Sequence, residues 1–102
     1  MSIRKRFLKS KPVCKVTFKV PKIDGGTAES AHVVGDFNTW STSATPMRKL
    51  KSGGFSATVD LETDRSYEFR YLLGDAHWTN DPEADGQAPT PYGDSANSVI
   101  HL

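Results

Sequence analysis

Asp81, Glu83 and Asp85, followed by Gly86, stand at the spacing that opens a calcium-binding loop. That chemistry also needs a glutamate at the twelfth loop position, which here is Tyr92, and Pro82 occupies the second. Paired carboxylates could instead cleave a glycosidic bond if two were held at a fixed separation across a substrate. These three lie on one stretch with nothing in the sequence to fix such a separation. His32, His77 and His101 are far apart and read as surface strand residues rather than ligands. Neither Cys14 nor any serine stands near a histidine in a nucleophile motif, and Gly53-Gly54 is no phosphate loop. Three histidines and one cysteine exclude a zinc finger, an iron–sulfur cluster and a disulfide framework. No cofactor is expected.

The aromatic residues are more informative. Trp40 lies in Gly35-Asp36-Phe37-Asn38-Thr39-Trp40-Ser41, where an apolar strand runs out into a polar turn, and Trp78 follows a turn at Gly74. Neither belongs to an obvious inward row. Each fits two roles: a lid over one end of the core, or a flat platform for a sugar ring, whose C–H face is apolar and whose rim carries hydroxyls. The platform role needs amide, hydroxyl or guanidinium donors nearby. Arg70, on the outer row of its strand, and Asn97 are such donors, though each also fits an ordinary surface position.

The elements that must position these residues are strands, because the dominant hydrophobic period is two. From Val13 to Val20, Cys14, Val16, Phe18 and Val20 share one face, and Lys15, Thr17 and Lys19 the other. Phe55 to Leu61 and Tyr67 to Leu73 alternate in the same way. Shorter candidates are Ala31–Asp36, Met47–Leu50, His77–Thr79 and Asn97–Leu102. Turn signals at Asp24-Gly25-Gly26-Thr27, Lys51-Ser52-Gly53-Gly54 and Gly74-Asp75-Ala76 separate them. Residues 80–96, rich in Asp, Pro, Gly and Ala, read as one long loop. About seven short strands in 102 residues predict an all-β chain folded as an immunoglobulin-like antiparallel sandwich.

Length and charge narrow the function classes. The 102 residues fit one domain and exclude large catalytic scaffolds such as a (β/α)8 barrel. The net charge of +1 divides into +8 over residues 1–22 and −7 over residues 23–102. An acidic body repels phosphate, so no nucleic-acid partner is expected, and no apolar run is long enough to span a membrane. Residues 1–12 read as a basic, flexible N-terminal arm ahead of a domain over 13–102, with the arm able to dock an acidic protein. The arm lacks the apolar stretch of a secretory signal, and with the lone Cys14 this points to the cytoplasm.

Val33-Val34-Gly35-Asp36-Phe37-Asn38-Thr39-Trp40 resembles the signature turn of the family 48 carbohydrate-binding modules. These include the glycogen-binding domain of the AMP-activated protein kinase β subunit and the N-terminal domains of isoamylases and branching enzymes. Four more segments match in order: Met47 with Phe55–Leu61; Tyr67-Glu68-Phe69-Arg70-Tyr71; Trp78-Thr79-Asn80-Asp81-Pro82-Glu83-Ala84-Asp85; and Pro91-Tyr92-Gly93 through Asn97-Ser98-Val99-Ile100. The resemblance covers about Val13 to Leu102. It implies an early-set immunoglobulin-like sandwich that binds glycogen or related α-1,4-glucans without catalysis. It further implies that Trp40 and Trp78 cradle the glucan, that Arg70 stands where the family has a hydroxyl-binding lysine, that Asn97 supplies an amide, and that Tyr92 projects from a loop into the curve of the chain. A second expectation is a protein-interaction module with a vestigial sugar site, docking an acidic partner or a glycan-active enzyme.

Overall fold

The alternating apolar rows become the inner faces of two sheets in a computed structural model that describes residues 1–22, 28–90 and 95–102. The expected loop at Asp24-Gly25-Gly26-Thr27 lies outside those residues. In the first sheet β1 (Ser2–Phe7) pairs with β2 (Val13–Val20), β2 with β5 (Phe55–Glu62), and β5 with β4 (Arg48–Lys49). Cys14 stands opposite Leu61 and Val20 opposite Phe55, so two inward rows coincide. In the second sheet β3 (Ala31–Gly35), β6 (Ser66–Leu73), β9 (Ala96–His101) and β8 (Gly86–Pro89) lie in that order, and β7 (His77–Thr79) pairs with β6 as well. All pairs are antiparallel. The strands alone make this an all-β, immunoglobulin-like sandwich. Among the described residues no helix is long and apolar enough to cross a membrane.

The core joins the two sheets through aromatic rings. Phe18 of β2 meets Phe69 of β6 with ring centroids 5.0 Å apart, and Phe69 meets Tyr71 edge-on at 5.6 Å. Such tilted contacts add specific geometry to the area they bury. Cys14, Val16, Val33 and Ile100 fill the space around them, all fully buried.

Nine strands are present among the described residues, two beyond the sequence expectation. Ser2–Phe7 form a paired strand and not a solvated arm: Ile3, Lys5 and Phe7 stand opposite Phe18, Val16 and Cys14. The row carries no clear strand signal in the sequence because a lysine sits in the middle of it. Lys5 Nζ donates to Asp85 at 2.5 Å and to the His101 carbonyl at 3.1 Å, so the edge of one sheet is tied to the other. A cation pairing across the rim lets its stem occupy an inward position. The second addition, β8, lies inside the stretch expected to be a long loop. Gly86-Gln87-Ala88-Pro89 carries no apolar alternation, and an edge strand needs none; Pro89 is its last residue, where the ladder tolerates a missing donor.

The carboxylates that imitate a calcium loop are parted by the fold. Asp81 is fully buried, accepts from the Tyr71 hydroxyl at 2.6 Å and accepts the Glu83 N–H at 2.8 Å. Burial, with the Asp81 charge beside it, pushes the Tyr71 hydroxyl far above the tyrosine range, which keeps it a donor. Asp85 faces Lys5 and the His101 N–H instead. Burial alone would raise the Asp85 carboxyl; the Lys5 ammonium and the backbone donor outweigh it and hold the group below the usual carboxylate range.

Candidate functional site

The turn that carries Trp40 is built residue by residue. Gly35 ends β3 where a Cβ would lie 2.4 Å from the Glu68 carbonyl oxygen, so only glycine lets the chain pass β6 this closely. That approach brings the Asp36 side chain to β6, where its Oδ2 accepts the Glu68 N–H at 2.8 Å. Phe37 turns inward and stacks on Phe18 with centroids 5.9 Å apart. The Asn38 side chain accepts from the Gly35 N–H at 3.1 Å and donates to the Val33 carbonyl and Thr45 Oγ1, both at 2.9 Å. Thr39 and Trp40 then adopt left-handed backbone, with φ of 54° and 59°. Two successive residues of this kind, one of them β-branched, are strained, and such strain persists only where the surroundings fix it. Here it aims the indole outward, and Asp36 Oδ1 accepts the indole N–H at 3.0 Å.

Trp78 arrives from another element. The β6–β7 connection turns at Gly74, whose φ of 65° suits glycine. β7 then sets Trp78 opposite Leu72 on the outer face of the sheet. Trp40 is 37% exposed and Trp78 41%, so neither ring is a core lid.

Arg70, on β6, stands opposite Val34 on the same outer face. Its Nε donates to Asn97 Oδ1 at 2.6 Å, and Asn97 Nδ2 donates to Glu68 Oε1 at 3.1 Å. The two bonds fix which way the Asn97 amide points. The terminal guanidinium nitrogens of Arg70 make no hydrogen bond to a described residue, and all three side chains are half-buried.

The four residues border one open cleft of about 750 Å3. Glu68 lines it as well, as do Pro89 at the end of β8, Thr90 and Ser95. Trp40, Arg70, Trp78 and Asn97 are thus brought together from four parts of the chain. Tyr92 lies outside the described residues. The sequence reading missed Glu68 and the tether made by Asp36. Glu68 stands two residues before Arg70 on the same outer row, and that period-two spacing is the signal that could have found it. Asp36 left no such signal, since its partners lie on another strand and in the turn beyond it.

The arrangement offers two flat apolar surfaces with a guanidinium, an amide and a carboxylate between them. That combination suits an uncharged ligand with apolar faces and hydroxyl edges. No histidine or cysteine lines the cleft among the described residues. Among those residues no group of three His, Cys, Asp or Glu side chains could hold a metal ion. The family model described as carbohydrate-binding module 48 (isoamylase N-terminal domain) matches residues 25–84, more than half of the chain. The match spans the Trp40 turn, β6 and Trp78. Comparison with curated proteins gives no significant match.

Proposed function

The chain belongs to the carbohydrate-binding module 48 family, and from that premise we propose that the cleft binds glycogen or related α-1,4-glucan chains without cleaving them. The observation that carries this reading is the pair of exposed indoles, Trp40 and Trp78, flanking the Arg70–Asn97–Glu68 hydrogen-bonded row. Glucose units stack their C–H faces on the indoles. The terminal guanidinium nitrogens of Arg70 donate to hydroxyl oxygens, and the carboxylate of Glu68 accepts from a hydroxyl. By resemblance to the family, Tyr92 is proposed as a further contact to the glucan.

An open site of two rings and a few hydrogen bonds should give a Kd of roughly 10 μM to 1 mM for a maltooligosaccharide. Titration with maltoheptaose, followed by indole fluorescence, measures it. Trp40→Ala removes on the order of 60–100 Å2 of apolar contact and should weaken binding about 10- to 70-fold. The same substitution should cost less than about 1 kcal/mol in chemical denaturation, because the ring is exposed. A variant that binds like the parent would remove Trp40 from the site. Release of reducing sugar in proportion to protein concentration would overturn the non-catalytic reading.

A further inference from the structure

The outer face of the four-stranded sheet points away from the cleft, since the core lies between the sheets. Arg4 and Arg6 project from it on β1, opposite Thr17 and Lys15 of β2, and Lys19 stands opposite Ser2. Lys15 pairs with Asp60 at 3.1 Å. Arg4, Arg6 and Lys19 are exposed and form no ion pair with a described residue. Lys9 and Lys11, both exposed, follow in the β1–β2 turn, and no acidic residue occurs before residue 23.

The strand that carries this charge is also an edge. Among the described residues β1 pairs with β2 alone, so along its other side a row of backbone N–H and C=O groups meets no described strand. Its sequence, Ser-Ile-Arg-Lys-Arg-Phe, contains no proline that would remove a donor. A second copy is a poor occupant, because two β1 strands side by side would set cations against cations. An anionic membrane also fits badly: the charge is striped, with Asp60 and Glu62 on the neighbouring part of the face. Single-stranded nucleic acid would find only one ring on this strand to stack on, the exposed Phe7 at its end, and none among the outward residues Ser2, Arg4, Arg6, Lys15, Thr17 and Lys19. An extended acidic segment matches on both counts. Its backbone completes the ladder, and its alternate side chains repeat every ~6.8 Å, the spacing of Arg4 and Arg6.

We infer that β1 accepts an extended acidic segment of a partner protein as an added strand, with alternate carboxylates on Arg4 and Arg6. One added strand covers less than the ~800 Å2 per partner of a standard interface, so the contact is transient and salt-sensitive. Because it lies opposite the cleft, it leaves glucan binding undisturbed, and the inference does not rest on the glucan reading.

A fluorescein-labelled peptide of alternating Glu and Thr is the probe, followed by anisotropy at low salt with the full chain. Saturable binding is expected, weakened about tenfold in the Arg4→Glu/Arg6→Glu double variant. Arg4→Gln/Arg6→Gln, which removes charge without reversing it, gives the same reading should the first variant unfold. Amide exchange in the parent should slow between Ile3 and Phe7 when the peptide is added. Equal binding of a peptide of the same charge interrupted by prolines would overturn strand addition. Tighter binding of phosphatidylserine vesicles or single-stranded DNA than of the peptide would overturn the choice of partner. Absence of saturable binding would overturn the inference outright, whatever the outcome with maltoheptaose.

Discussion

Asp36 serves two donors at once, the indole N–H of Trp40 and the backbone N–H of Glu68. It therefore links the strained turn to the strand that carries Arg70. Hydrogen bonds to a charged acceptor contribute more than neutral ones, and their loss leaves donors to find water. Asp36→Ala should cost about 1–3 kcal/mol of stability. It should also weaken maltoheptaose binding about three- to tenfold, because the indole must then be ordered on binding. Asp36→Asn keeps one acceptor oxygen and should fall between parent and alanine variant in both respects. Denaturation and titration of the two variants check this. If Asp36→Ala binds like the parent, the left-handed backbone alone positions the ring.

At the level of elements, β1 carries more of the fold than its composition suggests. Met1 and Ile3 pack against the core, and Lys5 ties β1 to β9 and to the residue before β8. Deleting residues 1–7 removes one edge of the four-stranded sheet and leaves the backbone groups of β2 unpaired on that side. The expected cost is about 2–4 kcal/mol, from two partly buried apolar side chains and a ladder of net-modest hydrogen bonds. Maltoheptaose binding should survive in the fraction that remains folded, because the cleft belongs to the other sheet. An unfolding midpoint equal to that of the full chain would show that β1 is dispensable. From the sequence alone residues 1–12 read as a flexible arm outside the domain, since Lys5 interrupts the apolar row of Ile3 and Phe7.

For the molecule as a whole, the pairing of Lys5 with Asp85 makes sheet-to-sheet closure depend on pH. The Asp85 carboxyl is held below its ordinary range when folded, so the unfolded chain binds its proton first as the pH drops. Its contribution is complete above the ordinary carboxylate pKa of about 3.9 and fades as the pH falls through the lower folded value. Lys5→Met should therefore flatten the acid limb of stability below about pH 4 and lower the plateau at neutral pH. Denaturation midpoints of both proteins across that range test this. Parallel curves would mean that the ion pair contributes nothing to closure.

The sequence by itself determined the sandwich. Val13–Val20, Phe55–Glu62 and Ser66–Leu73 have apolar rows of strict period two, and such a row is stable only when buried against a second sheet. It also singled out Trp40, Arg70, Trp78 and Asn97 as candidates, because the tryptophans fell outside the inward rows and the other two could act as donors. What only the tertiary structure decided is what depends on partners distant in sequence. Glu68 enters the cleft through Asn97, twenty-nine positions on, and Asp36 reaches β6 from thirty-two positions before it. Lys5 finds Asp85 across eighty positions. β1 and β8 lie on edges, where one neighbour suffices and the hydrophobic pattern is relaxed, so their sequences carry no strand signal that local reading can weigh. Periodicity reports how a residue faces the core; which charges and amides then meet is set by strand order and register, and those exist only once the sheets have formed.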